Sequence, residues 1–188
     1  MGGDSMQEGA VSRRAVLRLG CGLVAAGLLA TSAEAAKPRR VAERVLSFEH
    51  LHTGEKLRRT YWAEGRYIRS SLREIHHLLR DFRTGETRPI DLKLLELLHD
   101  LHGLVGSRKP IEIVSAYRSK RTNGSLASHD DGVARRSFHL RGMAVDLRLP
   151  DRDLGRVRQA ALRLARGGVG YYPTSDFVHI DVGPHRSW

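Results

Sequence analysis

The sequence predicts an α+β fold with one mostly antiparallel sheet. Two observations carry this. Amphipathic runs of helical period come early, over residues 71–81 and 91–105. Short β-rich runs cluster late, over 142–150, 169–173 and 177–183, so strands and helices segregate along the chain.

Element by element, residues 45–62 read as a hairpin: VLSFEHL, a Thr53-Gly54 turn, then KLRRTYW. Over 71–81, Leu72, Ile75, Leu78 and Leu79 share one helical face. Asp91 caps a second helix to residue 105, whose stripe is Leu94, Leu95, Leu98 and Leu101. IEIVSAY (111–117) is a buried strand after Pro110, and GMAVDLRLP (142–150) a second one closed by Pro150. Residues 151–166 form a third amphipathic helix, with Gly167-Gly168 expected at its C-cap. VGYYP (169–173) and FVHIDVG (177–183) follow as strands joined by a Thr174-Ser175-Asp176 turn.

A chain of 188 residues, 40% hydrophobic and 28% charged, suits one domain with a real core and excludes wholesale disorder. Its 32 basic and 21 acidic side chains give +11. Nucleic acid, anionic lipid and cell-wall polymer all match that charge, but aromatics at 6% are too sparse for a base-stacking surface. The single cysteine, Cys21, excludes a disulfide framework and a Cys-rich zinc module.

Residues 1–35 read as an export signal. Arg13-Arg14 precede the uncharged apolar run 19–30, and Ala33-Glu34-Ala35 fits the small-x-small cleavage rule. The run is short for a bilayer span, and the arginine pair resembles a twin-arginine signal. An uncleaved N-terminal anchor is the alternative. Cleavage after Ala35 removes three basic and three acidic residues, so the remainder keeps +11, all ten histidines and no cysteine. Residues 36–44 (AKPRRVAER) are a basic linker, and 45–188 the folded domain. The expected location is the periplasm.

Three residues at strand margins stand out: His139, Asp146 and His179. Zinc takes imidazole nitrogen and carboxylate oxygen, and catalytic sites keep three protein ligands with a position open for water. Asp146 lies between apolar neighbours, where a carboxylate needs a partner; a metal or one of the many arginines would serve. In FVHIDVG, His179 and Asp181 point to the same face. His99 and His102, spaced i, i+3, have no third ligand in view, and His129 with Asp130 and Asp131 reads as a loop over the site.

The surrounding letters narrow these readings. SFHLRGMAVD (137–146) is Ser-x-His-x-x-Gly-x-Ala-x-Asp, which resembles the zinc signature of the D-Ala-D-Ala peptidases, within the lysostaphin/D-Ala-D-Ala-peptidase/hedgehog fold group. SAYRSKRTN (115–123) resembles the segment supplying that family's substrate-facing arginine, and residues 167–188 resemble the C-terminal block of the YcbK-type murein endopeptidases. The resemblance covers residues 45–188. It implies a hedgehog/D-Ala-D-Ala-peptidase-like fold, Zn2+ bound by His139, Asp146 and His179, and Arg118 against the scissile carbonyl or a substrate carboxylate. Ser137 is either a substrate contact or a turn residue. Related peptidases often carry a carboxylate three residues before the last histidine ligand, which makes Asp176 the expected general base. Asp181 is its rival, or else orients a ligand, and His185 is a third candidate.

The implied activity is a zinc metallopeptidase acting on peptide cross-links of peptidoglycan, such as D-Ala to diaminopimelate. The alternatives are a D,D-carboxypeptidase releasing terminal D-Ala and a catalytically silent peptidoglycan-binding module. Export argues against a nucleic-acid partner, and the membrane enters only during export.

Overall fold

The structure is a computed structural model that describes Met1, residues 42–129 and residues 134–188. The expected signal at 1–35 falls outside the described residues, as do Asp130 and Asp131. Among the described residues no helix is long and apolar enough to cross a membrane.

The chain opens with a hairpin, β1 (Glu43–His50) and β2 (Lys56–Ala63), extended by the short β3 (Arg66–Tyr67). β1 starts inside the segment read as linker because Glu43 and Arg44 find partners: they pair with Ala63 and Trp62. Arg44 also bonds Glu96, and its guanidinium lies 4.8 Å from the Trp62 ring centre. Helices α1 (Arg69–Leu78) and α2 (Leu92–Val105) follow, then β4 (Ile111–Ser115) and α3 (Lys120–His129). A 3-10 turn (Phe138–Arg141) leads into β5 (Ala144–Arg148), α4 (Leu154–Leu164), β6 (Gly168–Tyr172), β7 (Phe177–Asp181) and β8 (Arg186–Ser187).

Local signals explain most boundaries. Asp91 caps α2 by accepting from Lys93 N, and Asp153 caps α4 by accepting from Arg156 N. α4 ends on Ala165, at φ 51, and not on the Gly167-Gly168 pair. Those glycines serve packing instead: a Cβ on Gly167 would lie 1.8 Å from Asp181 O, and Gly168 opens β6. α3, the 3-10 turn and β8 lie in segments where the sequence shows no helical or alternating period.

The eight strands form one mixed sheet in the order β3-β2-β1-β4-β5-β7-β6-β8. β1 runs parallel to β4 and β6 parallel to β8, while the other five adjacencies are antiparallel. One face is apolar. Phe48, Ile113, Val145, Leu147, Val178 and Ile180 are buried there in one core with Leu94, Leu98 and Leu101 of α2 and Val157 of α4. Burying each large apolar side chain contributes about 1.5–3 kcal/mol, so this face anchors the strands. Strand alternation then turns Asp146, His179 and Asp181 to the opposite face.

Candidate metal centre

β5 and β7 pair in antiparallel register with Asp146 opposite His179, so their side chains stand side by side. His139 arrives from the 3-10 turn. Ser137 caps that turn by accepting from His139 N, and Gly142 ends it at φ +66. A Cβ on Gly142 would lie 2.6 Å from Pro89 O, so sterics as well as backbone conformation require glycine there. The turn is tied to the sheet by Met143 O accepting from Val182 N, and to the segment after β4 by Arg118 N donating to His139 O at 3.2 Å.

Three buried atoms converge. His139 Nε2 lies 3.2 Å from His179 Nδ1 and 3.3 Å from Asp146 Oδ1. His179 Nδ1 lies 2.9 Å from the same oxygen. The outer ring nitrogens fix the tautomers. His139 Nδ1 sits 2.6 Å from the Ala116 carbonyl, which only accepts, so Nδ1 carries the hydrogen. His179 Nε2 faces the Asp181 carboxylate at 3.1 Å and donates to it. With both imidazoles neutral, two nitrogen lone pairs and a carboxylate oxygen therefore face one another with no donor between them. Such a triangle calls for a cation. A tetrahedral zinc with ligands at about 2.0–2.1 Å spaces its ligand atoms roughly 3.3 Å apart, close to the edges observed.

The titration directions agree. Burial pushes the His139 pKa down. Burial also disfavours charge on His179, but the carboxylates of Asp146 and Asp181, one beside each ring nitrogen, outweigh it and push that pKa up, so a proton on Nδ1 and a cation at the centre compete for the same place. Burial would raise Asp146, yet the two adjacent imidazoles hold its carboxyl below the ordinary carboxylate range. The site stabilises positive charge at its centre.

Each converging side chain is held from behind. Arg118 Nη2 donates to Asp146 Oδ2 at 2.6 Å, and Arg118 Nε to Ser115 Oγ at 3.0 Å. Asp181 is fully buried, and its oxygens accept from His179, Gly168 N, Gly183 N and both Nη atoms of Arg186. The Arg186 guanidinium carbon is in turn 5.2 Å from the Phe138 ring centre and 5.0 Å from that of Trp188. Asp181 thus has no face open to an attacking water, and its contacts match an orienting partner of His179.

The triangle opens into a cleft of about 500 Å³ lined also by Arg118, Arg136, Ser137 and Arg186. Tyr172, Phe177 and Trp188 line it too, and these the sequence reading did not find. Trp188 lies against Gly170, where a Cβ would come within 2.7 Å of the indole, and it donates to Tyr172 Oη at 2.7 Å. The signal available was the glycine at 170, on the His179 face of β6 and directly opposite His179. Ser137 accepts from His139 N in its own turn and also borders the cleft.

The structure does not bring Asp176 into this cluster. It sits on the β6–β7 turn at φ 53, exposed, with its carboxylate 2.7 Å from Arg148 Nη1. Arg148 Nε donates at the same time to Glu112 at 2.6 Å. Neighbouring Ser175 and Phe177 line the cleft, and Asp176 and His185 do not. Among the described residues the cleft contains no carboxylate or imidazole beyond His139, Asp146 and His179.

Comparison with known proteins adds to this geometry. Residues 38–188 match the family model described as peptidoglycan L,D-endopeptidase MepK. The chain is 41% identical over 179 residues to the peptidoglycan L,D-endopeptidase MepK of Escherichia coli K12, covering 94% of this chain and 97% of that protein. The protein of the same description from Shigella flexneri matches equally. A probable peptidoglycan L,D-endopeptidase MepK of Haemophilus influenzae is 36% identical over 146 residues, 77% of this chain and 78% of the relative.

Proposed function

The chain belongs to the peptidoglycan L,D-endopeptidase MepK family, and on that premise we propose that it is a zinc metallopeptidase hydrolysing peptide cross-links in peptidoglycan. The observation that carries the reading is the donor-free triangle of His139 Nε2, Asp146 Oδ1 and His179 Nδ1 at the floor of a cleft. These three residues would hold the ion, which supplies Lewis acidity toward the scissile carbonyl and the attacking water. The names of the relatives specify an L,D bond. That makes an L,D linkage the proposed target in place of the D-Ala-to-diaminopimelate example suggested by the sequence, and favours endopeptidase over carboxypeptidase action.

The chain's own residues divide the remaining work. Arg118 uses Nη2 and Nε on Asp146 and Ser115, while its Nη1 has no protein partner among the described residues. That nitrogen is the proposed donor to the developing oxyanion. Asp181 fixes the ring of His179 and its tautomer. Asp181→Asn should lower zinc affinity about 10- to 100-fold, the usual effect of losing such a partner, as read by competition with a fluorescent zinc chelator. The aromatic wall of Tyr172, Phe177 and Trp188 takes apolar parts of the peptide, with Ser137 at the rim as a polar contact.

The proton-accepting role that the resemblance implies for Asp176 requires its carboxylate to exchange Arg148 for the attacking water. Asp176→Ala tests this. Loss of turnover with zinc retained supports the role, and full activity removes it.

The proposal extends to the chain's organisation. Residues 1–35 act as a twin-arginine export signal and 36–42 as a basic tether, and the domain that begins with β1 at Glu43 works in the periplasm with a hedgehog/D-Ala-D-Ala-peptidase-like fold. A peptidoglycan substrate supports that location. The decisive experiment is mass spectrometry of purified cross-linked muropeptides incubated with the zinc-loaded protein. Conversion of dimers to monomers at an L,D bond, lost with chelator, is the expected result. Release of terminal D-Ala alone would move the activity to a carboxypeptidase, and retention without cleavage to a binding module.

A further inference from the structure

We propose that Asp81, on the turn after α1 and outside the cleft, is a positioning residue for Arg118. The inference rests on the oxyanion role given to Arg118 above. A donor that stabilises developing charge works only if it is already in place, because reorganising it during the reaction forfeits the gain. Arg118 sits on the irregular segment between β4 and α3, where no ladder of strand or helix bonds holds it. Three successive amides anchor that segment instead. Tyr117 N donates to Leu79 O at 3.1 Å and Arg118 N to His139 O at 3.2 Å. Ser119 N donates to Asp81 Oδ2 at 2.8 Å.

Asp81 is built for this single task. It is 1% exposed and forms no ion pair among the described residues. Its other oxygen accepts from Arg83 N at 3.0 Å, while beside it Ser119 Oγ donates to Thr122 Oγ1 at 3.3 Å. Burial raises its pKa, but these hydrogen bonds outweigh burial and hold it down at about 2. The carboxylate also faces the first turn of α3, where the helix dipole favours negative charge. Its own backbone is clamped, with Gly85 N donating to Asp81 O and Asp81 N to Glu86 O, so the carboxylate has a fixed origin.

A buried ionised carboxylate without a cation is costly to keep. What it secures is the peptide immediately after Arg118 and the start of α3. Ser119 in turn caps that helix through Oγ, which accepts from Thr122 N at 3.1 Å. The chain of contacts therefore runs from Asp81 to Ser119, to Arg118, and on to Asp146.

A double-mutant cycle on the zinc-loaded protein tests this, with Asp81→Asn, Arg118→Ala and the pair. Asp81→Asn should keep one zinc per chain and lower kcat about 10- to 100-fold with KM little changed. In the Arg118→Ala background the same change should alter kcat by less than about two-fold, because its effect is spent through Arg118. Equal losses in both backgrounds would overturn the proposal and leave Asp81 a general stabiliser. Should Asp81→Asn fold poorly, Thr122→Val removes the hydroxyl that Ser119 Oγ bonds beside the same carboxylate and should show the same non-additivity at smaller amplitude. Amide hydrogen exchange supplies a readout independent of hydrolysis. Exchange at Arg118 and Ser119 should accelerate in Asp81→Asn while the β5 amides stay protected, and unchanged exchange at those two amides would overturn the proposal. If the wild-type protein cleaves no muropeptide, the functional reading fails, and the exchange result still decides whether Asp81 fixes the segment.

Discussion

His139→Ala is expected to abolish zinc retention and hydrolysis together while leaving the fold intact. His139 supplies one corner of the triangle, and its Nε2 is within 3.3 Å of both other donor atoms. Two remaining ligands hold zinc weakly. Lewis-acid stabilisation worth several kcal/mol is then lost, and at about 1.4 kcal/mol per decade that corresponds to roughly 10³-fold or more in kcat/KM. The fold should survive because the apolar face lies on the other side of the sheet, with Val145, Leu147, Val178 and Ile180 untouched. Metal analysis of the purified variant, muropeptide turnover and a thermal melt check the three parts. Retained activity with one bound zinc would remove His139 from the site.

Arg118→Ala is expected to separate metal binding from catalysis. Removing a donor to a developing oxyanion costs about 10²–10³ in kcat. The ion pair to Asp146 Oδ2 disappears as well, so zinc affinity should fall about 10-fold, and the assay needs saturating metal. Arg118→Lys should not restore the rate. One ammonium cannot at once reach Asp146, Ser115 and the oxyanion, as a planar guanidinium with separate nitrogens can. Steady-state kinetics at saturating zinc decide this. A variant impaired only in KM would assign Arg118 to substrate binding.

What the sequence made legible follows from range. Asp146 and His179 lie on strands of five residues each, whose alternation fixes the facing side from local letters alone. Asp91 as a cap and the leucine stripe of α2 are local in the same sense. The unread features depend on contacts distant in sequence. α3 has no apolar stripe and contains Gly124, and its start is secured by Asp81 from another part of the chain. Trp188 becomes a cleft wall only because Gly170 leaves room for its indole. Arg44 belongs to a strand, not a tether, because Glu96 and Trp62 await it. The family resemblance placed Asp176 beside the site, whereas Arg148, two residues beyond Asp146 on the same face, holds its carboxylate outside the cleft.

X-ray absorption at the zinc edge on the purified protein reads the ligand atoms of His139, Asp146 and His179 in place. The expected result is one zinc per chain with nitrogen and oxygen ligands at about 2.0–2.1 Å, two of them imidazole, and no sulfur. The His139→Ala protein should lose that spectrum. A stoichiometric zinc that survives the substitution, or the lack of any stoichiometric metal in protein that still cleaves muropeptides, would contradict it.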